Sequence, residues 1–153
     1  GLYRLHEFYK VEQVVLCEAK ESESLGFFEE LQDNAEGILQ ELGLPYQVVC
    51  LSSQDMSKKF VMTYDIETWM PSRNSYGETH SNSMAFDFQT RRLKIKYQDS
   101  DGNVKFCHAL NNTAVASPRI LIALLENFQT ADGSVKIPEV LHKYTGFSEI
   151  NPR

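Results

Sequence analysis

Leu110–Asn127, LNNTAVASPRILIALLEN, is the stretch whose reading decides the fold. A short polar segment, Asn111-Asn112-Thr113, runs into small residues, then Pro118-Arg119, then the most apolar helical pattern in the chain. Ile120, Leu121, Leu124 and Leu125 recur at helical spacing, and Ala123 leaves room for a neighbouring element to approach. Pro118 suits the first helical position, where a missing N–H costs nothing. Arg119 would then stand at the helix entrance, beside N–H groups that already favour anions. A cation and polar side chains at the mouth of a buried helix point to a binding site. An ordinary core helix with a solvated arginine near its start fits the same residues.

Working outward, Arg92–Gln98 alternates Leu93, Ile95 and Tyr97 against Arg92, Lys94 and Lys96, which predicts a half-buried strand. Asp99-Ser100-Asp101-Gly102-Asn103 reads as a hairpin turn, with Val104–Leu110 as the partner strand. Further upstream, Glu78–Phe88 is extended and unusually polar for a strand, and Tyr64–Met70 alternates up to Pro71, with Pro71–Glu78 as loop. Tyr46–Leu51 is a strand, followed by an irregular connection over Ser52–Thr63. Leu25–Leu42 is an amphipathic helix with Phe27, Phe28, Leu31, Ala35, Ile38, Leu39 and Leu42 on one side. Ser24 is placed as its N-cap and Gly43 as its C-terminal stop. Before it, Val14-Val15-Leu16-Cys17 closes as a buried strand, and Glu18–Ser24 is a charged loop. After the focal helix, Thr130–Ser134 is a turn and Pro138 begins a short helix. Hairpin-joined strands with long helices interposed define an α+β domain on an antiparallel sheet flanked by helices.

The totals narrow the function. At 153 residues the chain can bury one real core. Its net charge of −6 and pI near 5.2 argue against nucleic-acid binding by bulk charge, while leaving room for a local basic patch. No apolar run approaches transmembrane length, so no membrane partner is expected. Cys17, Cys50 and Cys107 are odd in number and lie in apolar stretches, which reads as buried free thiols in a reducing compartment. The four histidines make no ligand-spaced pair, so no zinc site is expected.

Three blocks in order resemble the seryl-tRNA synthetases, class II aminoacyl-tRNA synthetases. Gly1–Glu12, GLYRLHEFYKVE, is similar to the second half of motif 2 of that family. Tyr64–Arg92, with YDIETWMP, YGE and DFQTRRL, looks like the middle of the catalytic core, and Leu110–Asn127 resembles motif 3. Gly77 before Glu78 and the run Pro118–Glu126 look more like the mitochondrial form, which implies the mitochondrial matrix.

The resemblance implies ATP-dependent activation of L-serine and its transfer to serine tRNA. Arg4 and Arg119 become the phosphate-side arginines, with Arg119 also beside the adenine and Phe8 stacked on its other face. Glu78 and Ser81 become ligands of Mg²⁺ shared with ATP, hard oxygens suited to that cation. Glu12 becomes the acid that holds the amino group of serine, and Asn111 and Thr113 recognise its hydroxyl. Each residue also has a plainer reading: core packing for Phe8, a solvated loop acid for Glu78, a strand-end charge for Glu12, and turn or cap chemistry for Asn111 and Thr113.

Some positions depart from the family pattern. Glu7 stands where glutamine is usual, Ser57 and Phe60 add bulk to a loop expected near the substrate floor, and Ser81-Asn82-Ser83-Met84 replaces Ser-x-Ser-Asn. These departures motivate an alternative, a non-catalytic paralogue acting as a binding or regulatory partner, and an unrelated α+β binding domain is a third reading. On the resemblance, residues 1–153 are the C-terminal part of the catalytic domain. Motif 1, its homodimer interface and the tRNA-binding arm would lie upstream, so the 153 residues by themselves are expected not to aminoacylate.

Overall fold

The computed structural model describes residues 1–152. Strands β1 (Lys10–Cys17), β2 (Tyr46–Cys50), β3 (Met62–Met70), β4 (Ser75–Phe86) and β7 (His108–Ala116) form one antiparallel sheet in the order β1-β7-β4-β3-β2. The hairpin β5 (Lys96–Gln98) and β6 (Val104–Phe106) stands apart, as does the small pair β8 (Val135–Lys136) and β9 (Glu149–Ile150). Helices α1 (Glu21–Glu41) and α3 (Ser117–Phe128) cover one face of the large sheet, while α2 (Phe88–Leu93) and α4 (His142–Thr145) are short. The expected α+β class and antiparallel sheet are what the chain adopts.

The covered face holds the core. Ala35, Leu39 and Leu42 of α1 meet Ile66 of β3 and Ile120 and Ala123 of α3. Phe28 and Leu31 meet Cys17, Met84 and Leu110 in a second cluster. These positions follow the helical and two-residue periods of the sequence. Two buried asparagines also serve this face. Asn82 and Asn112 pair across β4 and β7, and their Nδ2 groups donate to Phe28 O (2.8 Å) and Leu31 O (2.6 Å) of α1. Asn82 and Asn112 are thus fastenings for the helix. Gly43, at φ +68°, ends α1 as expected: its N–H reaches Gln40 O, and that of Leu44 reaches Leu39 O.

Several local expectations are corrected. Asn111-Asn112-Thr113 is no segment before a helix but the middle of a nine-residue strand between two others, so its polar groups belong to the sheet. Arg92–Gln98 is no single strand. Arg91 pairs with Asp87 at 2.6 Å and Arg92 lies 3.6 Å over the Phe88 ring, both four residues apart, so Phe88–Leu93 winds into α2. Lys94, at φ +59°, then turns the chain out into the shorter β5. Ser24 lies inside α1, which starts earlier at Glu21 with Glu21 and Glu23 favouring its first turn. The Ser24 hydroxyl instead meets His108 Nδ1 at 2.7 Å. β1 is an edge strand covered on one side only, so Val14 and Leu16 are exposed and Cys17 alone of the expected four is buried. β4 begins at Ser75, inside the expected loop, after a 3₁₀ turn over Pro71–Arg73. Cys50 is exposed, on the edge strand β2, while Cys17 and Cys107 are buried. Leu121 of α3 faces outward.

Candidate active site on the open face of the sheet

The uncovered face carries polar side chains at the end of the sheet where β4 and β7 part. Their ladder runs to Asn82↔Asn112 and stops there. Two β-bulges flank the gap. On β4, Ile66 pairs with His80 and Glu67 with Glu78, so Thr79 is an extra residue. On β7, Val11 pairs with Val115 and Glu12 with Thr113, so Ala114 is extra. In a regular strand residues three apart point to opposite faces. The bulges let Glu78 and Ser81, and likewise Thr113 and Ala116, line one cavity of about 260 Å³.

Six of the eight expected residues line that cavity: Arg4, Phe8, Glu78, Ser81, Thr113 and Arg119. Arg119 enters from the first turn of α3, where Pro118 takes the second helical position and Ser117 the first. Its Nη1 donates to Glu78 O at 3.0 Å and lies 3.2 Å from Glu78 Oε1. Arg119 is therefore a held side chain, and the solvated-arginine reading is set aside. Phe8 is half exposed, so it is no core residue. The segment that presents it is pinned to α3 by Ser117 N–H to Tyr9 O (2.9 Å) and Tyr9 N–H to Ser117 Oγ (3.2 Å).

Glu12 and Asn111 lie outside the lining. Glu12 is joined to it through Thr113, whose hydroxyl donates to Glu12 Oε2 at 3.2 Å, and Lys10 Nζ pairs with the same oxygen at 2.8 Å. Asn111 shares the face of Thr113 two residues along β7 and pairs with Ser83 of β4. None of the loop over residues 52–61 lines the cavity, so the bulk at Ser57 and Phe60 does not reach its floor.

Four contributors were not singled out from the sequence. Tyr3 donates its hydroxyl to Glu78 O at 2.7 Å, and its ring carries Arg119 at 4.4 Å and Arg73 at 5.1 Å from its centre. Gly77 permits this stack, because a Cβ there would come within 3.0 Å of Arg73 Nη1 and Met70 Sδ. Lys10 adds a third cation to the lining. Asp65 pairs with Ser81 across β3 and β4. Burial pushes its carboxyl above the usual range, the Ser81 hydroxyl lowers it, Glu78 and Glu67 raise it further, and Arg119 lowers it. Asp65 Oδ1 is buried without a hydrogen-bond partner. His80, behind the lining, is 1% exposed, and burial lowers its pKa to about 4, so it is neutral at physiological pH. Asp65 and His80 lie on β3 and β4, where the bulge at Thr79 breaks the alternation that the sequence shows, and Tyr3 and Lys10 lie outside those strands.

Three cations, an aromatic ring, a carboxylate and a hydroxyl thus line one cavity of an α+β domain, beside the first turn of α3. The chain belongs to the tRNA synthetase class II core domain family (G, H, P, S and T), whose model matches residues 1–128. Within that family it is similar to serine–tRNA ligases. It is 53% identical over 150 residues to the one from Deinococcus radiodurans, covering 98% of this chain and 35% of that protein. It is 48% identical over 153 residues to the one from Borrelia garinii subsp. bavariensis, covering 98% and 36%. The chain thus spans about a third of the length of these relatives.

Among solved structures, seryl-tRNA synthetase from Pyrococcus horikoshii complexed with ATP superposes with a TM-score of 0.95 at 44% identity, over 100% of this chain and 34% of that one. Cytoplasmic serine–tRNA ligase from Naegleria fowleri in complex with AMP superposes with a TM-score of 0.91 at 40% identity, over 99% and 36%.

Proposed function

We propose that this chain carries the catalytic face of a seryl-tRNA synthetase, which activates L-serine with ATP and transfers it to serine tRNA. The observation that carries this reading is the convergence of Arg4, Phe8, Glu78, Ser81, Thr113 and Arg119 on one cavity from three separate stretches of sequence. The likeness to structures solved with ATP and with AMP supports it.

In the proposed reaction a carboxylate oxygen of serine attacks the α-phosphorus of ATP, the bond to the bridging oxygen breaks, and pyrophosphate leaves. A terminal ribose hydroxyl of the tRNA then attacks the carbonyl carbon, and AMP leaves. Arg4 and Arg119 set planar guanidinium groups against the phosphate charge. The Tyr3 ring and the Glu78 carbonyl hold Arg119 in place before ligand arrives, which lowers the entropy cost of binding. Phe8 offers a free ring face to adenine. The ammonium of serine takes the place of Lys10 Nζ on Glu12, while Thr113 holds that carboxylate and keeps a lone pair free for the serine hydroxyl. Asn111 is the second reader of that hydroxyl. A site that hydrogen-bonds a substrate hydroxyl discriminates strongly against alanine, whose binding would leave its polar groups unpaired.

The donor set fits Mg²⁺. Glu78 and Ser81 present hard oxygens on one face, and the partnerless Oδ1 of Asp65 stands across from Ser81. Asp65, Glu67 and Glu78 would repel the phosphates by themselves, and Glu78 and Ser81 are the residues that would hold a divalent cation against that repulsion. When bound, it neutralises phosphate charge and orients the leaving group.

The proposal extends to a homodimer in the full gene product and to the mitochondrial matrix, the latter supported by the resemblance of Pro118–Glu126. Sedimentation and cell fractionation test those two points. Serine-dependent ATP–pyrophosphate exchange by the full gene product tests the activity. Exchange is expected, and its absence from folded protein would turn the reading to a non-catalytic paralogue.

A further inference from the structure

His80 stands behind the cavity and in none of the roles assigned above. It lies on β4 between Thr79 and Ser81, next to the bulge that brings Glu78 and Ser81 to one face. Its Nε2 is 3.0 Å from Ala114 O, and its Nδ1 is 2.8 Å from Thr79 Oγ1. Both partners are the extra residues of the two bulges. A carbonyl only accepts, so Nε2 carries the proton and donates to Ala114, and Nδ1 accepts from the Thr79 hydroxyl. The Thr68 hydroxyl, 2.7 Å from Thr79 Oγ1, donates to it in turn. The result is a chain, Thr68 to Thr79 to His80 to Ala114, in which the Thr79 hydroxyl lies 2.8 Å from His80 Nδ1 and, further off at 3.2 Å, also meets Ile66 O.

This chain crosses the gap where the β4–β7 ladder has stopped. Beyond Asn82↔Asn112 no ladder pairing joins the two strands among the described residues. A bulge leaves an unpaired residue and local freedom to twist, and an unpaired buried polar group is costly, so the bulges need a partner other than the ladder. His80 supplies it, and it is the largest polar side chain in the described fold that is almost fully buried.

We infer that His80 is a positioning residue that fixes two β-bulges to one another, and thereby sets the distance between the phosphate and metal side chains of β4 and the serine-reading side chain of β7. The inference rests on the proposed assignment of Glu78 and Ser81 to ATP and Thr113 to serine. Its two ends act on different substrates. The Thr79 end controls Glu78 and Ser81, and the Ala114 end controls Thr113 through one peptide bond. Displacement of about an ångström at a reacting group costs on the order of a hundredfold in rate.

The two ends are separable by substitution. His80→Asn places its amide where Nδ1 stood, keeping the contact to Thr79 and losing that to Ala114. His80→Gln reaches the position of Nε2, keeping Ala114 and losing Thr79. In the full gene product we expect His80→Asn to raise the KM for serine about tenfold with the KM for ATP within twofold, and His80→Gln to do the reverse. Thr79→Val, nearly isosteric, should reproduce the ATP effect alone, and it serves if a histidine variant does not fold. Hydrogen exchange gives a readout independent of catalysis: His80→Asn should lose protection at residues 113–115, and His80→Gln and Thr79→Val at residues 78–80. Equal effects on both substrates that track the loss in Tm, or unchanged KM values and protection, would overturn the inference. If the wild type itself shows no serine-dependent exchange, the functional reading fails, and the link between the bulges stands or falls by hydrogen exchange alone.

Discussion

β4 and β7 each serve two faces within a few residues. Met84 and Leu110 are almost fully buried beneath α1, while Ser81 and Thr113, three positions away on the same strands, face the cavity. The covered face is built by period: apolar side chains alternate, the helices close over them, and Asn82 and Asn112 fasten α1 to the sheet. The open face is built by breaking period, with one extra residue on each of two neighbouring strands. Stability is invested on one side and ligand geometry on the other, so substitutions on the two faces should separate in what they change.

Leu39, fully buried among α1, β3 and α3, gives the largest effect on the covered side. Leu39→Ala should lower unfolding stability by about 2–5 kcal/mol in urea titration, with the KM of the remaining folded enzyme unchanged. Arg119→Ala is its counterpart. It should lower kcat/KM in pyrophosphate exchange by roughly 10²–10³-fold, as expected for loss of a preorganised charge, while moving the unfolding midpoint little. If Leu39→Ala altered KM as strongly as Arg119→Ala, the separation between the faces would be lost.

Acid sharpens the comparison through two histidines packed within the fold. His80 has its pKa lowered from 6.5 to about 4, and that of His108 is also lowered, burial being the first cause for both. A depressed histidine pKa means that the unfolded chain takes up the proton first as pH falls. The neutral form therefore stabilises the fold fully above about pH 6.5, and that contribution is lost as pH falls toward 4. At pH 5 His80 alone should account for about 2 kcal/mol of lost stability, and His80→Gln should flatten the pH dependence of urea unfolding. A smaller effect is expected at Thr113. Thr113→Ala removes the hydroxyl that holds Glu12 and should weaken serine about tenfold and discrimination against alanine with it, leaving the KM for ATP near wild type. Equal weakening of both substrates would make Thr113 structural.

The covered face was legible in the sequence because its rules are periodic. The apolar stripe of α1, its stop at Gly43 and the alternation of β3 follow from local chemistry, as does the Asp99–Asn103 turn of the separate β5–β6 hairpin, and all are present. The open face was not legible in that way. Glu78 and Ser81 are an odd number of residues apart, and only the bulge at Thr79 brings them to one face. Asn111-Asn112-Thr113 read as a polar lead-in to a helix because its burial depends on β1 and β4, which are distant in sequence. The cavity residues became visible through resemblance to a family, and Tyr3, Asp65 and His80 only through their partners in three dimensions.

Isothermal titration of the full gene product with non-hydrolysable seryl- and alanyl-adenylate analogues tests most directly whether the open face is a serine-activating site. The seryl analogue should bind at least a hundredfold more tightly than the alanyl one, and Arg119→Ala should weaken both. Equal affinity for the two analogues, or no binding by folded protein, would contradict that assignment.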